Sequence, residues 1–287
     1  MIIGDDRRAV IENIKRCAES GLFHEKVELN DPFLDAEERR AITDKYLINR
    51  TRPFFRLKTA VGVAAARIAT RLINKDTRIV GIEKIPKDIG GMIITSNHFS
   101  PLENTVIRHL TEKLGRRRLA IISQTTNFAM KGPVGFLMNY ADTVPINNDT
   151  RYLVRSLPAL MDERIRKKGD AMLIYPEQEM WFNYRKPRPP MEGAYYFAAR
   201  LGVPIVSCFV EIVDLDEDDT PEFKRVRYVL HVLDVLYPDP SVNVRENTSL
   251  LAKRDYDLKR ECYERVYGRT LTYDFDRSDI AGWKGTL

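Results

Sequence analysis

The sequence predicts an α/β protein, in which a mixed and mostly parallel central sheet is flanked by helices and preceded by an N-terminal helical element. Three observations support this prediction. From about residue 78 onward, short apolar β-rich runs alternate with helical patterns, which is the element order of α/β domains. Before that point, only helical periodicity is found. The chain of 287 residues is 44% hydrophobic and 30% charged, as in globular proteins that bury a substantial core.

The N-terminal element is predicted as helices within residues 1–77. The first covers residues 5–19, and the second opens at Asp31-Pro32. The third, Pro53–Asn74, carries an apolar stripe at three- and four-residue steps, formed by Phe54, Leu57, Val61, Ala65, Ile68 and Leu72. Arginines lie mostly on the opposite side: Arg52, Arg56, Arg67 and Arg71. Such a helix either lies in a membrane interface or docks on the core of its own protein, and both alternatives stay open.

Residues 78–287 are assigned to one α/β domain with a C-terminal helix. Short β-rich runs predict strands at Arg78–Pro86 (with a turn), Met92–Thr95, Leu119–Ser123, Thr143–Ile146, Ala171–Tyr175, Val203–Val210 and Arg225–Leu236. Apolar periodicity, with glycines or basic residues at the ends, predicts helices at Pro101–Leu114, Gly132–Tyr140, Arg151–Lys168, Gly193–Leu201 and Leu250–Tyr267. The acidic run Asp214–Asp219 is predicted to form a solvent-exposed loop.

The stretch GMIITSNHFSPLE, residues 91–103, combines a strand, a polar corner and a helix start. The corner brings His98 and Glu103 together at the edge of the sheet, where α/β folds bind ligands. One interpretation is structural, because Ser100 and Glu103 have the spacing of a capping box. The other is catalytic: Glu103 holds one ring nitrogen of His98, and the second nitrogen takes a proton from an attacking hydroxyl.

The nine residues SNHFSPLEN resemble the histidine-x4-aspartate block of the glycerolipid (lysophospholipid) acyltransferases, such as bacterial 1-acyl-sn-glycerol-3-phosphate acyltransferase. The resemblance implies that His98 is the general base. Glu103 stands where the family has aspartate, which makes the block an HX4E motif and lengthens the acidic side chain by roughly 1.5 Å. Asn97 and Ser100, which flank the base, are expected to contact the substrate.

Three further stretches resemble blocks of the same family in the expected order, over roughly residues 78–210. The strand Ala171–Tyr175 is followed by Pro176-Glu177, which fits the family's Phe-Pro-Glu-Gly-Thr-Arg block, and Glu177 and Gln178 are expected to bind substrate. The arginines that serve the acceptor phosphate in the family are missing here. The segment VPINNDTR has asparagines near the first such position, and Met180 occupies the second.

A proline-rich loop, WFNYRKPRPPMEG, follows this block and interleaves aromatic with basic residues. Its cations are expected to replace the missing arginines at an anionic head group, and its aromatic residues to line an acyl or glycan surface. The expected contacts are Trp181, Arg185, Lys186 and Arg188. The alternative is a solvated loop whose aromatic residues fold inward.

These observations predict an acyltransferase that moves a fatty acyl group from acyl-CoA or acyl-carrier protein to the hydroxyl of a lysophospholipid, with lysophosphatidate as the leading acceptor. The thioester is a co-substrate, and no cofactor or metal is expected. The P-loop, GxGxxG and HExxH patterns are missing from the sequence. Two alternatives stay open: a different acceptor, such as a glycolipid or glycan, and a catalytically silent, membrane-associated binding protein.

Charge and cysteine usage suggest where the protein works. The net charge of +5 favours an anionic partner, but no nucleic-acid-binding signature accompanies it, so nucleic acid is not expected as a partner. Three widely separated cysteines fit a reducing cytoplasm. Neither a secretory signal nor an apolar run of about 18 residues is found. We therefore expect a cytoplasmic protein that is peripheral at the inner face of the membrane.

Overall fold

The computed structural model describes residues 7–29, 32–116 and 118–286. In chain order these residues form the helices and strands α1 (Arg7–Glu19), α2 (Ala36–Asn49), α3 (Pro53–Ile73), β1 (Arg78–Val80), β2 (Met92–Thr95), α4 (Asn104–Lys113), β3 (Leu119–Gln124), α5 (Thr125–Phe128), α6 (Gly132–Tyr140), β4 (Thr143–Ile146), α7 (Leu157–Met161), β5 (Ala171–Ile174), α8 (Gly193–Leu201), β6 (Ile205–Asp218), β7 (Lys224–Leu236) and α9 (Val244–Tyr267). Wider π-helical turns extend α7 on both sides.

The seven strands form one sheet in the order β1-β7-β6-β2-β5-β3-β4. Every neighbouring pair is parallel except β6 and β7, which form an antiparallel hairpin. Two apolar clusters cover the sheet and bury all four residues of β2, as expected for a central parallel strand. The predicted α/β class, with a mixed and mostly parallel sheet, is confirmed.

Several predicted boundaries were wrong, and two of the differences have a clear physical reason. The second helix begins at Ala36, where Asp35 and Glu38 form a capping box, while Asp31 lies outside the described residues. The acidic run that was predicted as a loop continues strand β6 as far as Asp218. Basic residues of β7 lie beside it, and Lys224 and Arg225 form ion pairs with acidic residues of this run. These cross-strand pairs let an acidic segment remain extended.

Helix α3 leaves most of its predicted apolar stripe exposed. The helix packs on α4 and α6 through a narrow face of mostly small residues, Thr59, Gly62, Val63 and Thr70. A Cβ atom on Gly62 would lie only 2.6 Å from the Tyr140 carbonyl oxygen, so glycine is needed for this approach. The apolar stripe points away from the protein: Phe54, Leu57, Val61, Ile68 and Leu72 are 53–71% exposed. Docking of the stripe on the protein's own core is therefore excluded.

A third apolar cluster holds the loop that spans residues 181–192. Helix α1 packs against Trp181, Phe182 and Tyr184, and the cluster also includes Ile280 and Trp283 from the C-terminal segment. Backbone hydrogen bonds join Asn183 and Arg185 to this segment, which the sequence left unassigned. Helix α1 and the C-terminal segment, which lie near the two ends of the described chain, thus pack against the same loop. The division into residues 1–77 and 78–287 stays a prediction.

No helix among residues 7–29, 32–116 and 118–286 is both long enough and apolar enough to cross a membrane.

Candidate active site

The candidate site begins where β2 ends, at the carboxyl edge of the sheet. Residues 96–98 leave the strand as a polar corner, and Asn97 secures this corner to β6. Its side-chain amide donates to the Val210 carbonyl oxygen at 3.0 Å, and its side-chain oxygen accepts from the Val210 N–H at 2.8 Å. Asn97 is 1% exposed. Both ends of the Asn97 amide are therefore used internally, and its contact with substrate stays a prediction.

His98 and Glu103 lie in direct contact, with Nδ1 of the imidazole against Oε1 of the carboxylate. The His98 side chain is 21% exposed and that of Glu103 only 3%. Because an ionised carboxylate can only accept, this contact places the ring proton on Nδ1 and leaves a lone pair on Nε2. Among the described residues, none forms a hydrogen bond with Nε2. The imidazole is thus oriented by an acid and open on its other nitrogen.

The second oxygen of Glu103 performs the capping function that the sequence offered as an alternative. Oε2 accepts from the backbone N–H of Phe99 and, at 2.9 Å, from that of Ser100. The two interpretations are therefore compatible, since the two oxygens of one carboxylate serve different donors. Helix α4 begins at Asn104, not at Pro101 as predicted. The intervening turn is held by the Ser100 hydroxyl, which accepts from the Leu102 N–H at 3.2 Å. The Ser100 hydroxyl thus holds this turn, and its contact with substrate stays a prediction.

The ring of Tyr175 packs against one face of the His98 imidazole. The two rings stack with the centroids 4.2 Å apart and the planes inclined by 6°. The hydroxyl of Tyr175 is buried, and burial together with the nearby Glu103 carboxylate raises its pKa well above the usual range. Tyr175 ends the predicted strand before Pro176-Glu177, but nothing in the sequence pattern indicated that it would contact His98.

Glu177 is a buried structural anchor beneath the same corner. Its Oε2 accepts from the His98 N–H at 3.1 Å, and its Oε1 accepts from the Arg188 N–H at 3.0 Å. Its carboxylate also pairs with the Arg188 guanidinium at 3.0 Å. The side chains of Arg188 and Glu177 are 0% and 5% exposed. Glu177 therefore holds the backbone of His98, and its contact with substrate stays a prediction.

Gln178 is the next residue, and its side chain is exposed. Its φ angle of 65° lies in the left-handed region, which favours glycine. A non-glycine residue in this conformation costs about 1 kcal/mol. Glutamine at this strained and open position is consistent with the predicted substrate contact.

The loop cations are used internally. Arg185 donates to the Ser278 carbonyl oxygen at 2.7 Å and pairs with Asp214. Lys186 pairs with Asp279 at 2.7 Å, and its side chain is 4% exposed. Arg188, as described above, pairs with Glu177. All three cations are largely buried and each pairs with an acid of this chain. Their predicted contact with an anionic head group stays a prediction.

Trp181 follows the same pattern. Its side chain is fully buried, and its indole N–H donates to the Glu25 carbonyl oxygen at 3.1 Å. The backbone N–H of Trp181 donates to the His98 carbonyl oxygen at 3.0 Å. The aromatic residues of the loop fold inward, as in the alternative interpretation, although the loop itself is buried instead of solvated. The role of Trp181 at an acyl surface stays a prediction.

His24 is a neighbour that sequence reasoning missed. Its Nδ1 lies 3.4 Å from the Glu177 carbonyl oxygen, so the segment after α1 lies against the Pro176-Glu177 turn. The Phe23 carbonyl oxygen nearby accepts from the Arg188 guanidinium at 2.7 Å. No local pattern signals these contacts, because they join residues more than 150 positions apart.

Comparison with known proteins adds three findings. Residues 76–211 match the family model described as Acyltransferase, and this segment contains His98, Glu103 and Glu177. The fold is similar to the crystal structure of the 1-acyl-sn-glycerophosphate (LPA) acyltransferase PlsC from Thermotoga maritima, with 19% sequence identity and a TM-score of 0.47. The alignment covers 81% of this chain and 90% of that chain. No curated protein matches the sequence.

Proposed function

We propose that this chain, which matches the acyltransferase family model over residues 76–211, moves a fatty acyl group from a thioester donor to the hydroxyl of a lysolipid. The observation that carries this proposal is the contact between His98 Nδ1 and Glu103, with Nε2 free on the exposed side of the ring. Acyl-CoA and acyl-carrier protein are both suitable donors. Neither choice requires a metal or an organic cofactor.

The proposed reaction is a direct transfer. Nε2 of His98 removes the proton from the acceptor hydroxyl while its oxygen attacks the thioester carbonyl carbon. The new carbon–oxygen bond forms, the carbon–sulfur bond breaks, and the leaving thiolate takes the proton back from the imidazolium. Glu103 stabilises the imidazolium in between and holds the ring in the required tautomer. A positioned base of this kind contributes about 10² to 10⁴ in rate.

Two classes of acceptor are candidates. Lysophosphatidate is implied by the resemblance of the His98 block, and its phosphate requires matching cations. The internal pairing of Arg185, Lys186 and Arg188 favours the second class, which lacks a phosphate and includes glycolipid or glycan hydroxyls.

An assay with two thioester donors and a set of acceptors tests the proposal. The acceptors are lysophosphatidate, a monoacylglycerol as its uncharged counterpart, and a glycolipid, with thiol release and acylated product measured by mass spectrometry. We expect turnover of at least one acceptor, and faster turnover of those without phosphate. If no donor–acceptor pair reacts, and lipids and glycans of cells with and without the protein are identical, the chain is a silent binding protein and the proposal is wrong.

Helix α3 supports a peripheral position on the inner face of an anionic bilayer. Its stripe exposes large apolar side chains along the helix, and the stripe points away from the protein's own core. The exposed Arg52 and Arg56 at its N-terminal end suit anionic lipid head groups. An amphipathic helix of this kind lies in the plane of the interface with its apolar face among the acyl chains.

Charges placed in the stripe are expected to abolish membrane binding. The double variant Leu57→Asp/Ile68→Asp removes two contacts that contribute about 1.5 to 3 kcal/mol each when buried. We expect its binding to vesicles of anionic phospholipid to weaken by about 100-fold or more in sedimentation. The matched control is Leu250→Asp on α9, since Leu250 is 53% exposed outside the stripe. Equal binding by the double variant and the parent would exclude this docking surface.

A further inference from the structure

The sheet topology places Tyr175 beside His98. Strands β2 and β5 are parallel neighbours, and Thr95 is paired with Ile174. The residues that follow these strands leave the sheet at the same edge, so Tyr175 and the polar corner are adjacent although they are far apart in sequence. This adjacency explains why a tyrosine directly after β5 reaches the imidazole.

The stack restricts how the imidazole can move. With the two rings inclined by only 6° and their centroids 4.2 Å apart, rotation of the imidazole out of its plane is blocked on one face. Glu103 holds the Nδ1 edge of the same ring. The stack with Tyr175 therefore fixes the plane of the imidazole, and the contact with Glu103 fixes how the ring is turned within that plane. Together the two contacts fix the direction in which Nε2 points.

The hydroxyl of Tyr175 is a second observation. It is buried, and it has no hydrogen-bond partner among the described residues. A buried polar group without a partner is unfavourable, so such a group calls for an explanation. The Glu103 carboxylate is its close charged neighbour and, after burial itself, the main cause of the raised pKa of the phenol.

We propose that Tyr175 is a positioning residue for the catalytic pair: its ring holds the plane of His98, and its hydroxyl supports the carboxylate of Glu103. The inference rests on the proposed function, because the pair must act as a base for its position to affect turnover. The N–H groups of Phe99 and Ser100 donate to Glu103, and in this proposal the polar hydroxyl of Tyr175 adds its electrostatic effect on the same carboxylate. Donors around a carboxylate keep it charged and moderate its attraction for the imidazolium.

Two substitutions separate the ring from the hydroxyl. Tyr175→Leu removes both, and we expect kcat to fall by about 10- to 100-fold with little change in KM, because the base is present but poorly aimed. Tyr175→Phe keeps the stack, so most of kcat is retained. Loss of the hydroxyl strengthens the attraction between Glu103 and the imidazolium, so the acidic limb of the kcat/KM profile moves to higher pH.

Proton NMR of the free protein tests the stack without any substrate. The ring of Tyr175 displaces the His98 ring-proton signals upfield, and these signals are assigned by their loss in His98→Gln. We expect Tyr175→Leu to abolish the displacement and Tyr175→Phe to keep it. The control is Tyr152→Leu, which removes another buried tyrosine, whose hydroxyl donates to the Pro145 carbonyl oxygen. It lowers stability and leaves the His98 signals and the pH profile unchanged.

The outcomes distinguish this inference from the proposed function. A parent protein without thioester turnover overturns the function, and with it the catalytic role of Tyr175, whatever the NMR spectra show. A parent with turnover, but with the kcat and the His98 signals of Tyr175→Leu unchanged, overturns the positioning role alone. A kcat of Tyr175→Leu that falls only as far as that of Tyr152→Leu also overturns it.

Discussion

The His98→Gln variant is expected to lose about 10²- to 10⁴-fold of kcat, because glutamine has a similar size and polarity but no basic nitrogen to accept the hydroxyl proton. Binding of donor and acceptor does not depend on that proton, so KM should change little. Thiol release from the thioester measures the loss, and thermal unfolding of the same sample verifies that the variant is folded. Turnover at the parent's rate would show that another group serves as the base.

Glu103 variants test the other half of the pair. Glu103→Asp retracts the carboxylate by roughly 1.5 Å, so one side chain can no longer reach both His98 Nδ1 and the N–H groups of Phe99 and Ser100. We expect a loss of about 10- to 100-fold in kcat from this small displacement. Equal activity of the aspartate and glutamate forms would mean that the turn adapts to either length.

The largest effect on stability is expected from Arg188→Met. This substitution leaves the Glu177 carboxylate buried without its counter-charge, which typically costs about 3 to 5 kcal/mol in the free energy of unfolding. Burial already lowers the pKa of the Arg188 guanidinium, and Glu177 opposes that effect. Because Glu177 also accepts from the His98 N–H, loss of the pair is expected to reduce turnover as well. Urea unfolding measures the change in stability.

Two further variants make the Arg188 result interpretable. Arg166→Met breaks an exposed pair with Asp162, in which the arginine side chain is 59% exposed, and should cost under about 1 kcal/mol. Adding Glu177→Gln to Arg188→Met removes the uncompensated charge and should recover part of the lost stability. If Arg188→Met were no more destabilising than Arg166→Met, the buried pair would not anchor the corner.

Local sequence signals were sufficient for many elements of the fold. Helices α6 and α8 and strand β4 have the predicted bounds. Their ends are set by glycine, proline and apolar periodicity, which are local features of the sequence. Strand β6 was predicted too short because its acidic half is stabilised by ion pairs across the hairpin. Such partners are not visible in the strand's own composition.

Sequence alone predicted only the part of the site that lies within one short turn of the chain, between His98 and Glu103. The spacing of His98 and Glu103 brought them together within five residues, and that contact is present. The loop cations could not be assigned in the same way. Lys186 is neutralised by Asp279, and Arg185 by Asp214, which lie far along the chain. Alternating aromatic and basic residues define the composition of a loop. They do not show which groups those residues will contact in the fold.

The backbone hydrogen bonds between the 181–192 loop and the C-terminal segment affect the order in which the chain can fold during synthesis. The sheet is complete once β7 has been synthesised, but the loop that carries hydrogen bonds to the His98 and Phe99 carbonyl oxygens is joined by backbone pairing to Asp279 and Ala281. Those residues leave the ribosome after the whole sheet. A nascent chain therefore completes its sheet before the contacts that hold the 181–192 loop against the His98 corner can form.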